Sequence, residues 1–167
     1  TGRIGMFCVR IAKGFGMRVI ANDVYQNEAA ARELDFTYLP LEGLLAQSDY
    51  VSLNVSLSEA THHLINAERL AQMKKGAILI NTSRGQVVDP QALYQALKSG
   101  RIAGAALDVT APEPLPPDHR LLSLPNLIVA PHIASATEST RGRMAQMAVH
   151  NLIAGLEGNP LPNPVSG

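Results

Sequence analysis

Two glycines near the start of the chain have the spacing of a dinucleotide-binding turn. The segment Thr1-Gly2-Arg3-Ile4-Gly5 opens directly into a stretch of helical period. In the fingerprint G-x-G-x-x-G, whose first glycine would precede Thr1, Gly2 lets the backbone approach a pyrophosphate and Gly5 lets the helix pack closely on a sheet. The amides at the start of that helix would face the phosphates with a favourable dipole. A glycine-rich helix start also occurs as a plain tight turn, so the segment alone leaves both interpretations open.

Asp23 makes the dinucleotide interpretation the stronger one. It lies 18 residues after Gly5, at the end of the next predicted strand. A carboxylate at that place can accept hydrogen bonds from the adenosine ribose hydroxyls, and it would repel a 2′-phosphate. The alternative is an aspartate in an ordinary turn. Together with the glycines, Asp23 favours a dinucleotide site, and NAD over NADP.

Arg84 and His132 each follow a predicted strand. Doubly wound sheets bind their ligands at the edge formed by the carboxyl ends of the strands. The planar guanidinium of Arg84 can hold a carboxylate by two hydrogen bonds, and histidine is the usual general acid–base near neutral pH. From residue type and position alone, a surface arginine paired with an acid and a satisfied structural histidine remain open alternatives.

Glu113 lies in the longest irregular stretch, residues 110–126, which has five prolines among its 17 residues. Loops of that length inside a compact domain are usually functional. A carboxylate beside an imidazole raises the pKa of the ring and fixes its orientation, whereas the alternative for Glu113 is a solvated loop charge. The other histidines have no such context and are interpreted as structural, and no metal-ligand spacing is evident. They are His62, His63, His119 and His150.

Strands alternate with helices along the chain, which predicts an α/β fold with a doubly wound, Rossmann-like parallel sheet. Helices are predicted at 3–15, 27–34, 41–47, 67–73, 90–99 and from about 137, and strands at 18–21, 36–39, 50–55, 77–81, 102–109 and 127–130. Asp89 is expected to cap the fifth helix. The last helix is expected to bury one stripe of side chains, namely Met144, Met147, Ala148, Leu152 and Leu156.

No strand precedes the glycine segment, although the first strand of a doubly wound sheet is central. A domain without that strand would expose apolar faces and two unpaired strand edges, which invites aggregation. We therefore expect a sheet that lacks its first strand, and a chain that is a fragment of a longer protein.

Composition and charge narrow the functional classes. The chain is 46% hydrophobic and 17% charged, which suits a packed core and not a disordered segment. Lysine plus arginine and aspartate plus glutamate both number 14, so charge gives no reason to expect nucleic-acid or membrane binding. No apolar run approaches the roughly 20 residues of a membrane helix, and the start does not resemble a signal peptide. The single cysteine, Cys8, fits a reducing compartment, and the cytoplasm is the expected location.

Several segments, in order along the chain, resemble the D-isomer-specific 2-hydroxyacid dehydrogenases. They are residues 81–85 (NTSRG), 87–89 (VVD), 104–109 (GAALDV), 113–114 (EP) and 131–137 (PHIASAT). Within that family, residues 113–117 (EPLPP) and 155–158 (GLEG) look most like glyoxylate and hydroxypyruvate reductases. The resemblance implies an NAD-dependent oxidoreductase that reduces a small 2-keto acid, with glyoxylate or hydroxypyruvate favoured, to the D-2-hydroxy acid.

The resemblance also implies roles for individual residues. The reaction needs a cation for the substrate carboxylate, a proton donor for the carbonyl oxygen and a hydride from the nicotinamide. Arg84 would bind the carboxylate, and Glu113 would pair with His132, which would act as the acid–base. Asp108 would orient the nicotinamide carboxamide. The implied cofactor contacts are Gly2, Arg3, Ile4, Gly5, Asp23, Val55, Ser56, Thr82, Ser83, Arg84, Asp108, His132 and Ala134.

One loop departs from the family pattern. Ser56 and Glu59 stand where many relatives carry proline, which favours a less rigid loop around Val55 and Ser56. Among the implied cofactor contacts, Val55 and Ser56 are therefore the two that lie in a loop departing from the family pattern.

The resemblance carries an expectation about the whole protein as well. In this family the nucleotide domain is inserted into a substrate domain built mainly from the upstream chain. We therefore expect residues 1–157 to form an N-terminally truncated NAD-binding domain, and residues 158–167 to form a tail leading towards the largely absent substrate domain. Such a fragment would be inactive alone, and the full-length protein would be a homodimer.

Two other kinds of protein resemble this chain in part. A non-enzymatic NAD-sensing binding protein is the alternative, because the C-terminal-binding-protein corepressors resemble this family and keep similar polar residues. Formate dehydrogenases are disfavoured, because relatives of that type carry glutamine at the position of Glu113.

Overall fold

The structure is a computed structural model, and it describes residues 1–164. The bounds of the helices and strands are α1 (Arg3–Gly14), β1 (Ile20–Ala21), α2 (Glu28–Glu33), β2 (Thr37–Tyr38), α3 (Leu41–Gln47), β3 (Tyr50–Leu53), α4 (Ala67–Gln72), β4 (Ile78–Asn81), α5 (Pro90–Lys98), β5 (Gly104–Leu107), β6 (Leu127–Val129) and α6 (Glu138–Leu156). Helices and strands alternate from α1 to β5, and a loop with a 3₁₀ turn joins β5 to β6. Two 3₁₀ turns, Gly85–Val87 and Arg120–Ser123, lie in the loops after β4 and β5.

Every strand pair is parallel, which confirms the predicted α/β doubly wound fold. One sheet pairs β1 with β2, and the other has the strand order β3-β4-β5-β6. Within residues 1–164 no strand pairing joins the two sheets, so β1 and β3 are both edge strands. This arrangement agrees with the expectation of a doubly wound sheet without its first strand.

The predicted strands are longer than the observed ones. The strand predicted at 18–21 is paired only over Ile20–Ala21, and the one predicted at 102–109 only over Gly104–Leu107. A strand ends where its partner stops supplying hydrogen bonds, and β5 stops with Leu107 because its partner β4 ends at Asn81. A run of apolar residues in the sequence indicates burial, and burial extends beyond the hydrogen-bonded part of β5, since Ile102 and Val109 are both buried.

Helix α5 shows how local sequence sets an element. Asp89 caps it by accepting hydrogen bonds from the amides of Gln91 (2.9 Å) and Ala92 (3.1 Å), and Pro90 occupies the first turn, as predicted. The helix buries Leu93 and Leu97 on the large core. Burial of each such leucine contributes about 2 kcal/mol.

Two hydrophobic clusters lie in the first part of the chain. The large core lies under the four-stranded sheet and includes Leu45, Leu79 and Leu93. The small cluster lies beside β1 and β2, and its buried members are Val9, Ala21, Ala31 and Phe36. The dinucleotide residues near the start of the chain and the polar residues after β4 and β5 are therefore supported by different cores.

The expectation that α6 buries an apolar stripe is wrong. No residue of α6 is buried; Met144 is 55% exposed and Leu152 is 62% exposed. An apolar stripe predicts a face that suits contact with another surface, but it does not show that the same chain supplies that surface. The chain divides into two compact units, Thr1–Pro131 and the part from His132 onwards, and α6 belongs to the second. Neither α6 nor any other helix of the described chain has the length and apolar character needed to cross a bilayer.

Candidate active site

The start of α1 has the features of a phosphate-binding helix end. Gly2 is the N-cap residue; it makes no side-chain cap hydrogen bond, and the first turn holds no acidic residue. A Cβ on Gly2 would meet nothing within 4 Å, so the backbone there is open to close approach. Gly5 is buried, and its Cβ position lies 3.7 Å from the Cβ of Asn54. Open backbone at Gly2 and a helix dipole free of acidic neighbours fit a bound pyrophosphate.

Asp23 follows β1 and is held by a compact set of hydrogen bonds. Its Oδ2 accepts from the N-terminal ammonium of Thr1 at 2.5 Å and from the Thr1 hydroxyl at 2.8 Å, and its Oδ1 accepts from the Tyr25 amide at 3.1 Å. Burial raises the pKa of Asp23, but these hydrogen bonds and the ammonium charge outweigh it and lower the pKa to about 2. Independently of the ammonium, the hydrogen bonds from the Thr1 hydroxyl and the Tyr25 amide favour the ionised form of Asp23, which is the form that accepts from ribose hydroxyls.

Tyr38 belongs to the same group, and sequence analysis missed it. Its hydroxyl lies 2.8 Å from the Thr1 hydroxyl and accepts a hydrogen bond from the Asn27 amide at 3.1 Å. A single tyrosine in a two-residue strand gives no sequence signal of this contact, because the contact depends on the pairing of β1 with β2.

Arg84 lies in the turn that follows β4, directly before the 3₁₀ turn Gly85–Val87. Asn81, the last residue of β4, shapes this turn: its Oδ1 accepts from the amide (3.0 Å) and the hydroxyl (2.8 Å) of Ser83, and its Nδ2 donates to the carbonyl oxygen of Arg84 (2.9 Å). The Arg84 side chain is exposed, and its Nη1 donates to the Ser83 carbonyl at 2.7 Å. The guanidinium therefore remains accessible to a ligand.

Glu113 lies in the proline-rich loop after β5 and is exposed. Its Oε2 accepts a hydrogen bond from the Thr110 amide at 3.3 Å, and the Thr110 hydroxyl donates to the Pro112 carbonyl at 2.8 Å. The Ala111–Pro112 and Glu113–Pro114 peptide bonds are cis. Thr110 thus organises the loop that carries the carboxylate.

The predicted contacts Val55, Ser56, Thr82, Ser83 and Asp108 follow three neighbouring strands, β3, β4 and β5. Their parallel carboxyl ends meet at one edge of the sheet. Asp108 is buried, and its amide donates to the Asn81 carbonyl at 2.9 Å. Ser56 and Thr82 are exposed, and Val55 and Ser83 are half-buried. The structure therefore brings these predicted contacts to one edge, together with the loops of Arg84 and Glu113.

His132 and Ala134 lie in the second compact unit. Both are exposed, and His132 has a φ of 54°, in the left-handed region that few residues other than glycine adopt. Three residues after Ala134, Thr137 caps α6 by accepting from the Thr140 amide at 3.2 Å. Within its own unit, His132 is thus presented on exposed backbone ahead of α6.

Among the remaining histidines, His63 also has left-handed backbone, with a φ of 49°. Nδ1 of His119 accepts from the Leu121 amide at 3.3 Å and caps a 3₁₀ turn, which is a structural role. The rings of His62 and His63 stack on one another at 4.1 Å, and His150 lies exposed on α6. Among residues 1–164 no group of three or more histidine, cysteine or acidic side chains could hold a metal ion.

Comparison with known proteins gives a consistent family. The model of the D-isomer specific 2-hydroxyacid dehydrogenase NAD-binding domain matches residues 1–134. A glyoxylate reductase of Korarchaeum cryptofilum is 55% identical over 165 residues, which cover 99% of this chain and 50% of that protein. The human glyoxylate reductase/hydroxypyruvate reductase is 47% identical over 165 residues, which cover 97% of this chain and 50% of that protein. The chain thus spans about half the length of the curated relatives it matches.

Solved structures agree with this result. The TT0316 protein from Thermus thermophilus superposes with a TM-score of 0.92 at 51% identity, covering 99% of this chain and 51% of that one. A D-lactate dehydrogenase with NAD+ from Lactobacillus jensenii superposes with a TM-score of 0.89 at 33% identity, covering 100% of this chain and 54% of that one. Both similarities extend over the described fold.

Proposed function

The chain belongs to the D-isomer specific 2-hydroxyacid dehydrogenases, and we propose that it is the NAD-binding part of an enzyme that reduces glyoxylate or hydroxypyruvate to the D-2-hydroxy acid. One observation carries the proposal: an accessible guanidinium (Arg84) and a carboxylate (Glu113) lie on loops that follow neighbouring strands of one sheet. The curated relatives named above for glyoxylate and hydroxypyruvate support this choice of substrate.

The residues near the start of the chain suit NAD. The open backbone at Gly2 and the amides of Arg3 and Ile4 would hold the pyrophosphate, with Gly5 behind them. The ionised carboxylate of Asp23 would accept hydrogen bonds from the ribose hydroxyls and repel a 2′-phosphate, which favours NAD over NADP. Further contacts would come from Val55, Ser56, Thr82, Ser83, Asp108 and Ala134 at the ends of later strands.

The chemistry divides among three side chains. Arg84 would bind the substrate carboxylate through two parallel hydrogen bonds and so orient the carbonyl group. Bound NADH supplies the hydride for the carbonyl carbon, and the imidazolium of His132 donates a proton to the carbonyl oxygen. Glu113, paired with His132, would favour the protonated ring in the reducing direction. In the oxidising direction neutral His132 accepts the hydroxyl proton.

The half-length match to the relatives supports a longer protein. We propose that residues 1–157 are its NAD-binding domain and that residues 158–167 lead towards a substrate domain formed by the rest of that protein. Since that domain would close the cleft over the substrate, residues 1–167 alone would be inactive. The full-length protein would be a homodimer. Helix α1 carries an apolar stripe on which Ile4 is 65% exposed and Phe7 is 61% exposed, and this stripe supports a contact surface there for another part of the full-length protein or for a second copy.

The test is an NADH oxidation assay with the full-length protein. Glyoxylate and hydroxypyruvate are expected to be reduced, and NADPH is expected to be a poorer donor than NADH. An Arg84→Met variant that still binds NADH but reduces neither acid would support the assigned roles. Measurable NADH binding by the wild-type protein with no turnover of any short 2-keto acid would overturn the enzyme proposal in favour of an NAD-sensing binding protein.

A further inference from the structure

Both the carbonyl oxygen and the NH₂ group of the Asn81 side chain form hydrogen bonds that shape the turn that carries Arg84. It is 1% exposed, and its amide makes three hydrogen bonds. Because the Ser83 amide can only donate, the group that accepts from it must be Oδ1, and the group that faces the Arg84 carbonyl must be the NH₂. An aspartate would lose the donor towards Arg84. Asparagine is therefore the side chain that satisfies both ends of this turn.

The same residue is anchored in the sheet. Asn81 is paired with Leu107 of β5, and its carbonyl oxygen accepts from the Asp108 amide at 2.9 Å. Groups built on rigid strands hold their position more closely than groups on free loops. The turn of Arg84 thus takes its place from the ends of two paired strands.

Thr110 makes the equivalent connection on the other loop. It is buried, its hydroxyl binds the Pro112 carbonyl, and its amide binds the carboxylate of Glu113. Its main chain also packs directly against Gly85, the residue after Arg84. The contacts therefore run without a break from the Arg84 carbonyl to the Glu113 carboxylate.

We propose that Asn81 and Thr110 are positioning residues, with Asn81 placing Arg84 for the substrate carboxylate and Thr110 placing Glu113 for its acid–base partner. This inference rests on the proposed function. Neither side chain needs to touch the substrate, since each acts through hydrogen bonds to the loop that carries the reacting group. Asn81 therefore governs substrate binding, and Thr110 governs the proton-transfer step.

The first experiment is Asn81→Asp in the full-length protein, with glyoxylate and NADH. The aspartate keeps the acceptor for Ser83, but its second oxygen faces the Arg84 carbonyl. When ionised it repels that carbonyl, and when protonated it donates to it. We expect KM for glyoxylate to rise about tenfold where the aspartate is ionised, with kcat and NADH affinity unchanged. Burial raises the pKa of such an aspartate, so the KM ratio of variant to wild type should fall as the pH is lowered.

Asn126→Asp is the matched control. Asn126 also donates from Nδ2 to main-chain carbonyls, those of Leu97 on α5 (3.2 Å) and of Ala103 directly before β5 (3.3 Å), so these hydrogen bonds involve neither the turn of Arg84 nor Glu113. The control is expected to lower the melting temperature and to leave KM unchanged. Equal KM values for Asn81→Asp and wild type across the pH range would overturn the role of Asn81.

A second pair of variants tests Thr110 and does not depend on Asn81→Asp folding. Thr110→Val removes the hydroxyl, whereas Thr110→Ser keeps it. Thr110→Val is expected to lower kcat and to leave KM for glyoxylate unchanged, because a displaced Glu113 no longer orients its acid–base partner. Thr110→Ser should restore kcat. Loss of activity in both variants alike would exclude a positioning role for the hydroxyl.

These assays distinguish failure of the proposed function from failure of the positioning roles of Asn81 and Thr110. If the wild-type protein reduces no 2-keto acid, the proposed function fails. If the wild type is active but Asn81→Asp and Thr110→Val keep wild-type KM, kcat and pH profiles, only the positioning roles fail.

Discussion

The carbonyl oxygen of Thr110 occupies the space in which a side chain on Gly85 would begin. A Cβ there would also lie 2.7 Å from the amide nitrogen of Ala111, which is closer than real Cβ atoms come to such groups. The φ of Gly85 lies outside the left-handed region, so the backbone conformation does not itself require glycine. Glycine is needed because the two backbones approach so closely that a side chain has no room. The turn after β4 and the loop after β5 are therefore in direct main-chain contact.

Gly85→Ala is expected to lower both stability and activity. The added methyl must push the two loops apart, and overpacking of this kind costs about 1–3 kcal/mol. Thermal unfolding and glyoxylate turnover of the full-length protein would measure the two effects. Gly76→Ala is the control, because a Cβ on Gly76 would meet nothing within 4 Å. Equal melting temperatures for the two variants would contradict the contact.

Arg84→Lys is expected to cut kcat/KM for glyoxylate by about a hundredfold, because an ammonium cannot reproduce the paired hydrogen bonds of a guanidinium. The loss should appear mainly in KM for glyoxylate, and the dissociation constant for NADH, measured by fluorescence, should change much less. Arg101→Lys is the matched control: Arg101 donates to the main-chain carbonyls of Ala71 and Met73, so its substitution should affect stability alone. A weak effect of Arg84→Lys together with a strong effect of Arg101→Lys would reverse the assignment.

Asp23→Ser is expected to change the choice of cofactor. Removal of the carboxylate takes away the ribose acceptor and the charge that repels a 2′-phosphate. NADH affinity should fall about tenfold, while NADPH affinity should rise. Asp35→Ser is the control, since Asp35 is an exposed aspartate paired with Lys13 on the same part of the fold. Titration of both variants with NADH and with NADPH measures the two affinities. If Asp23→Ser keeps the wild-type ratio of NADH to NADPH affinity, the carboxylate has no role in the choice of cofactor.

Much of the fold could be predicted because its signals are local. The cap of α5 at Asp89 followed by Pro90, and the full extent of α3, were read correctly from residue type and period. Strand ends were not, since the partner strand sets them, as the end of β5 at Leu107 shows. The helix predicted from about residue 137 is present as α6, but the prediction that it buries an apolar stripe was wrong.

The residues of the candidate site were likewise predicted where the signal was local and missed where it depended on tertiary contacts. Arg84 was predicted at the carboxyl edge of the sheet because it follows a strand and parallel strands share that edge, and the structure places it directly after β4. Glu113 was predicted only to lie in the proline-rich loop, which the structure places after β5. Asn81, Thr110 and Tyr38 were missed, because their roles depend on tertiary hydrogen bonds and, for the first two, on burial. The only hint was an asparagine ending an otherwise apolar strand.

The two separate hydrophobic clusters have a consequence for how such a protein can evolve. Asp23 follows β1, whose Ala21 belongs to the small cluster, whereas Arg84 follows β4, whose Leu79 belongs to the large one. Substitutions that adapt one cluster leave the packing of the other in place, since mutations without shared partners are close to additive. With the roles proposed for Asp23 and Arg84, cofactor preference and substrate chemistry should therefore be separable traits, and a lineage could exchange one without rebuilding the other.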